Sequence, residues 1–333
     1  MRKLKYGVIG LGFFGEKHLE VLTTLPNVEV VGICTRREWR LNDLAKRFSV
    51  PKTFTNYKDL LDDDDIEAVS IVTHVETHKE PTIAALKAGK HVFLEKPMAP
   101  TPEDCDEIIE EVKRTKAVFM VGHICRFDPR YVICKRNIEE GKIGKPISLY
   151  ARRNIPAAIS ETVLTKIGPL LGDGVHDTDL MLWYSGEKIK SVYAKTLSTR
   201  NLPNPDIGWA MLQFESGAIG VVETVWYLPE KTPFDIDSRM EIIGTKGAIY
   251  VGGSDQGIAI NDEKGWRMPD TYYWPKIHGQ RVGVLKDELA YFVRCALSGK
   301  QPEVITPEES KEAVRVMAAA EESAKSGKVV ILP

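Results

Sequence analysis

Hydrophobic runs and polar breaks alternate through the first 120 residues with a regular beat. The runs Tyr6–Ile9, Glu29–Cys34, Ala68–Thr73, His91–Leu94 and Val118–Val121 are short and almost wholly apolar. They lack the in/out alternation of a half-exposed strand, and so predict strands buried on both faces, as in a parallel sheet. Between them, Phe13–Leu22, the segment carrying Leu41, Leu44 and Phe48, Tyr57–Leu61 and Pro81–Ala88 read as helices, the last with proline in its first turn and Gly89 at its end. Strands and helices in alternation, joined by short links, predict an α/β doubly wound sheet.

From about Gly122 the pattern changes. Strand-like runs at Ile147–Arg153, Ile189–Leu197, Trp209–Phe214, Ala218–Trp226, Met240–Ile243 and Ala248–Val251 are separated by turn pairs such as Ser216-Gly217 and Lys246-Gly247. Helices are expected at Arg130–Glu140, Asp173–Trp183, Val284–Leu297 and Glu308–Ser326. The expectation is a Rossmann-type domain over residues 1–122, and over residues 123–333 an α+β domain built on a large, mostly antiparallel open sheet.

Length agrees with two domains, because 333 residues exceed the size at which single cores stop growing. With 43% hydrophobic and 28% charged residues the composition is that of an ordinary globular chain, and a formal charge of −2 supplies no field for nucleic acid or an anionic membrane. No apolar run approaches the length of a membrane span, and Met1 to Lys5 leads directly into the first strand, so neither membrane nor secretory leader is expected. Five cysteines without a C-x-x-C pair point to reduced thiols in a cytoplasm and to no metal site.

The most informative stretch is Gly10-Leu11-Gly12-Phe13-Phe14-Gly15, where strand gives way to helix through G-x-G-x-x-G. Gly10 would make the tight bend, Gly12 would admit a diphosphate to the backbone, and Gly15 would let helix pack on strand; the helix N-terminus then offers N–H groups to the phosphates. An acid commonly closes the second strand of an NAD site. Here Thr35-Arg36-Arg37 stands there instead, and a hydroxyl with two guanidiniums suits a 2′-phosphate, so NADP is preferred over NAD. The alternative is that both arginines are simply solvated.

Two clusters could supply chemistry. Lys96 follows a buried strand at the ligand edge of the sheet, between Glu95 and Pro97; it reads either as a surface lysine or as a donor to a substrate oxygen. Asp173 and His176 lie three apart and share a helix face, so the acid could orient an imidazole base, or be only a helix cap beside a core histidine. Oxidation of an alcohol needs a base for the hydroxyl proton as hydride leaves carbon. A lysine and a histidine at one carbinol would meet that need.

Tyr6–Gly15, Thr73–His78, Ala85–Pro97 (ALKAGKHVFLEKP), Gly122–Pro129 (GHICRFDP) and Gly174–Asp179 (GVHDTD) together resemble the glucose-fructose oxidoreductase, inositol dehydrogenase and MocA family. The resemblance spans the chain and is strongest through residue 129. It implies NAD(P)-dependent transfer of hydride between nicotinamide C4 and a secondary alcohol of a sugar, cyclitol or nucleotide sugar, and a homo-oligomer, dimer or tetramer, formed through the C-terminal sheet. By that analogy Lys96 and His176 are catalytic, with His176 the proton acceptor and Asp173 beside it. Thr73, His74, His78 and Glu95 join the cofactor site, and His123, Arg126 and Arg153 join the substrate site. Arg152, Trp209, Tyr272 and Tyr273 read as sugar-pocket candidates or as packing. The family pattern places an acid four residues before the histidine, where this chain has Gly172, and a proline where it has His74. Two other readings remain: an enzyme whose NADP never dissociates and is recycled by a second substrate, and a sensor that binds dinucleotide or sugar without turnover.

Overall fold

The computed structural model describes residues 2–252, 257–263 and 265–333. In the first unit, strands β1 (Leu4–Ile9), β2 (Val28–Cys34), β3 (Lys52–Phe54), β4 (Ala68–Ile71), β5 (His91–Glu95) and β6 (Phe119–Gly122) form one six-stranded sheet. Every pairing in it is parallel and the order is β3-β2-β1-β4-β5-β6. This is the doubly wound order, with β1 beside β4 where the direction of winding reverses, and in such sheets ligands bind outside the carboxyl ends at that point. The expected strands are in place to within two residues. Lys52–Phe54 had no signal, because three residues of Lys-Thr-Phe at the sheet edge carry no periodicity. Helix α1 (Phe13–Leu22) follows β1, and α2 (Glu38–Phe48) buries only Leu41 and Leu44.

In the second unit β7 (Pro146–Asn154), β8 (Ile189–Leu197), β9 (Ile207–Phe214), β10 (Ile219–Val225), β11 (Asp237–Gly244) and β12 (Ala248–Val251), with Val330–Ile331, make a seven-stranded sheet ordered β12-β11-β7-β10-β9-β8 and then the terminal strand. Only β7 with β10 is parallel. One face is buried: Met181 from the helix Val175–Ser185 sits where a side chain on Gly220 would go, and Ser323 Oγ accepts from Ala194 N at 2.9 Å. The other face is open. It carries Tyr193, Trp209, Met211 (52% exposed), Ile219 and Tyr250 (67% exposed).

The expected single cut at 122/123 needs revision. The first unit is Met1–Phe127 with Tyr273–Lys311, and the second is Asp128–Tyr272 with Glu312–Pro333. The returning helix Val284–Ser298 joins the first unit because its apolar face buries Leu285, Leu289 and Phe292; the Phe292 ring meets Tyr6 and Phe93 edge-on, centroids 6.3 and 5.6 Å away. A helix this far along the chain reads only as amphipathic; nothing in its own pattern says which sheet it covers.

Candidate active site

The three glycines of the first turn do three different things. Gly10 has φ +94°, and a Cβ there would lie 2.4 Å from Val72 O. A Cβ on Gly15 would lie 1.9 Å from Gly10 O, so only glycine lets α1 sit this close to the turn. A Cβ on Gly12 would meet nothing within 4 Å, which leaves open space in front of the helix start. Gly12 is also the N-cap of α1 and no side chain caps the helix. Open space in front of an uncapped helix start fits a diphosphate. Leu11 is buried, Phe13 is 75% exposed beneath Lys17 Nζ at 3.7 Å, and the Phe14 ring packs between His18 and Trp274.

At the end of β2, Thr35 Oγ1 accepts from Arg37 N at 3.5 Å, and Arg36 and Arg37 are exposed. Arg37 Nη2 donates to Leu11 O at 3.2 Å. Arg40, which no sequence motif singles out, donates from Nε to the same carbonyl, from Nη2 to Gly12 O at 3.2 Å and to Glu16 Oε2 at 2.7 Å. Arg37, the N-cap of α2, and Arg40 in its first turn together fasten the glycine loop. Their spacing was the available signal, masked by the general abundance of cations on solvated helices.

The turn Glu95-Lys96-Pro97 leaves β5 on a cis Lys96–Pro97 peptide. Lys96 is half-buried and its backbone N donates to Glu95 Oε2 at 3.2 Å. Beneath it runs a buried chain: Tyr6 Oη lies 3.0 Å from Ser70 Oγ, Ser70 Oγ 3.4 Å from His18 Nδ1, and His18 Nε2 2.9 Å from Glu95 Oε1. With its proton on Nε2, His18 donates to the carboxylate and accepts from Ser70, and the hydroxyls run in the same sense from the core to Glu95. His78 holds the other side. Its Nδ1 lies 2.8 Å from Pro97 O and its Nε2 3.1 Å from Thr73 O, so the buried ring ties the end of β4 to the lysine turn; burial pulls its pKa down against the pull of those carbonyls. Thr73 is half-buried and His74 exposed, at the start of a short 3₁₀ turn. His123 and Arg126 are buried in the same unit: His123 Nε2 is 2.9 Å from Ser310 Oγ, and Arg126 Nη1 donates to Val304 O at 2.8 Å and Glu309 Oε1 at 3.1 Å.

In the second unit, Leu170–Gly174 form a π-helical turn that runs into the helix Val175–Ser185. Gly174, and not Asp173, is the N-cap of that helix. Asp173 Oδ2 accepts from Trp226 Nε1 at 2.9 Å. The Trp226 ring also explains the glycine before it, because a Cβ at position 172 would lie 2.6 Å from the indole. Trp226 lies 53 residues away in the chain, and nothing local points to it. His176 is buried on the next turn, followed by Asp177, whose carboxylate takes both Nε (3.2 Å) and Nη2 (2.9 Å) of Arg153 in a buried two-pronged pair. Arg152 pairs with Asp237 at 2.7 Å, Trp209 lies on the open sheet face, the Tyr272 ring lies under Arg130, and Tyr273 is buried. Among the described residues no helix is long and apolar enough to cross a membrane, and no group of His, Cys, Asp or Glu is placed to hold a metal ion.

Comparison with known proteins shows the fold and the family. Residues 4–123 match the oxidoreductase family with an NAD-binding Rossmann fold, and residues 131–250 match the GFO/IDH/MocA C-terminal domain. The chain is 30% identical to a myo-inositol 2-dehydrogenase of Thermotoga maritima, over 99% of this chain and 98% of that one. It is 31% identical to a scyllo-inositol 2-dehydrogenase (NAD(+)) of Bacillus subtilis, over 99% and 96%. The crystal structure of a myo-inositol 2-dehydrogenase from Lactobacillus plantarum superposes with a TM-score of 0.88 at 26% identity over the whole of both chains. The chain belongs to the GFO/IDH/MocA family of NAD-binding oxidoreductases.

Proposed function

We propose that this oxidoreductase acts on a secondary alcohol of a cyclitol or a closely related sugar. Lys96 anchors the reacting oxygen and His176 accepts its proton. When bound, a nicotinamide dinucleotide supplies the hydride-accepting ring. The observation that carries the reading is the lysine turn: a half-buried ammonium leaves β5 at the carboxyl edge of the sheet, next to β4 and in the unit that holds the glycine loop, on a backbone fixed by Glu95 from one side and His78 from the other. An ammonium fixed in place stabilises charge that develops on oxygen without having to reorganise. An imidazole is the side chain best matched to taking a proton near neutral pH, and Asp173, itself held by Trp226, is placed three residues before it. The inositol dehydrogenases at 30 and 31% identity across nearly the full chain support a cyclitol over a nucleotide sugar.

The finer choices follow from the same residues. NADP is favoured over NAD because Thr35, Arg36 and Arg37, and no carboxylate, stand where β2 ends. Self-association is assigned to the open face of the second sheet, where Tyr193, Trp209, Met211, Ile219 and Tyr250 are exposed among polar neighbours such as Lys195 and Glu241. The test is turnover of a panel of inositol isomers and free sugars with NADP and with NAD, followed by reduced-nicotinamide absorbance. Turnover on cyclitols is the expected result; no turnover on any alcohol would overturn the reading.

A further inference from the structure

Glu16 appears above only as a partner of Arg40. It stands in the first turn of α1, the helix whose open start fits a diphosphate, and so puts a negative charge near a ligand that is itself negative. By charge alone it would oppose binding.

The geometry gives it another task. Its carboxylate is shared between two guanidiniums of α2: Oε2 accepts from Arg40 Nη2 at 2.7 Å, and Oε1 lies 2.8 Å from Arg47 Nη1, which also donates to Asp43 Oδ2 at 3.4 Å. The side chains of Glu16 and Arg40 are 23% and 17% exposed and that of Arg47 is 46% exposed, so the bond to Arg40 is the better shielded of the two. The rest of the Arg40 fork meets backbone. Nε donates to Leu11 O and Nη2 also to Gly12 O at 3.2 Å, while Arg37 Nη2 adds a bond to Leu11 O at 3.2 Å.

These bonds set the direction of one peptide. The α1 ladder begins with Glu16 N on Gly12 O at 3.1 Å, so Leu11 O lies outside it and is held by the arginines. In a planar trans peptide the C=O and the following N–H point opposite ways. Turning Leu11 O towards α2 therefore turns Gly12 N–H away from α2, at the residue that has open space in front of it.

We propose that Glu16 is a positioning residue for the dinucleotide: it holds the Arg40 guanidinium against the Leu11 and Gly12 carbonyls, and Arg40 in turn fixes the Leu11–Gly12 peptide. A loop ordered before the ligand arrives loses less freedom on binding, and this gain outweighs the repulsion from a carboxylate that two arginines already neutralise.

Order and charge act in opposite directions, so the sign of one substitution separates them. Glu16→Gln keeps the shape, removes the charge and ends the charge-assisted bonds to both arginines. Charge alone would tighten binding; loss of the clamp loosens it. NAD is the probe, because it carries no 2′-phosphate and the cofactor preference argued from Arg36 does not enter. In calorimetric titrations, run well below the melting temperature of each variant, E16Q is expected to bind NAD about two- to fivefold more weakly than the wild type. In the Arg40→Ala background the same substitution is expected to cause no loss, since the clamp it serves is gone and only the relief of charge remains. Without ligand, deuterium exchange of the amides around Gly12 is expected to be faster in E16Q than in the wild type. NAD bound as tightly by E16Q as by the wild type or more tightly, an equal loss in the Arg40→Ala background, or unchanged exchange around Gly12 would each overturn the proposal. None of these readouts needs turnover, so they stand or fall apart from the choice of substrate.

Discussion

Trp226 and Asp173 are joined by a 2.9 Å hydrogen bond from indole Nε1 to Oδ2, and the same indole ring fills the space that a side chain at position 172 would need. A single tryptophan thus excludes a side chain at position 172 and holds the acid one residue later. The carboxylate is fixed through a group that the sequence pattern does not include.

Trp226→Phe keeps a ring against Gly172 and removes the donor. A hydrogen bond to a charged acceptor contributes about 1.5–3 kcal/mol, so turnover is expected to fall by about tenfold or more, with a smaller change in KM, in steady-state assays. Gly172→Ala instead forces a methyl into the ring, which costs roughly 1–3 kcal/mol as overpacking, and should show first as a lower melting temperature.

Gly10 and Gly12 separate folding from binding. Gly10→Ala meets both a left-handed backbone and the Val72 carbonyl, and is expected to destabilise the first unit by several kcal/mol, at about 1–2 for the backbone conformation and roughly 1–3 for the clash. Gly12→Val projects into open space, so the melting temperature should hold while dinucleotide affinity, measured by calorimetry, falls sharply.

Charge reversal at Arg36 tests the cofactor choice. Arg36→Glu should weaken NADP by tenfold or more, about 1.4 kcal/mol for a lost charge-assisted contact, while leaving NAD nearly unchanged. Equal losses in the two titrations would remove the 2′-phosphate argument. Arg40→Ala acts differently: it frees the Leu11 and Gly12 carbonyls from one of their clamps and should weaken both dinucleotides alike.

The open sheet face is tested by charge. Met211→Glu, an exposed position on β9 between Val221 and Tyr193, should leave the fold intact and shift the mass measured by light scattering towards the monomer. An unchanged mass, or a wild type that is already monomeric, would contradict the self-association proposed for this face.

Much of this was legible in the sequence, and the parts that were not share a cause. The glycine turn, the lysine after β5 and the histidine after the π-helical turn are local motifs: a few consecutive residues carry the geometry. The His18–Glu95 bond, the Arg40 clamp and the Trp226–Asp173 bond join positions 77, 28 or 29, and 53 residues apart, and a single chain gives no signal at such distances. The second-unit strands were visible as strand-like runs bounded by turn pairs such as Ser216-Gly217, whereas the return of the helix Val284–Ser298 to the first sheet depends on partners that periodicity does not name. Arg126 and Arg153 show the same limit. Arg126 Nη1 donates to Val304 O and Glu309, and Arg153 Nε and Nη2 donate to Asp177, partners far along the chain that residue type alone does not name.

The most direct measurement is the single-turnover rate of Lys96→Ala beside its dinucleotide affinity. Removing one fixed donor from a developing oxyanion lowers the chemical step by about a hundred- to a thousandfold; that loss, with cofactor binding nearly unchanged, is the result expected here. A variant that turns over as fast as the wild type would contradict the role of the lysine turn.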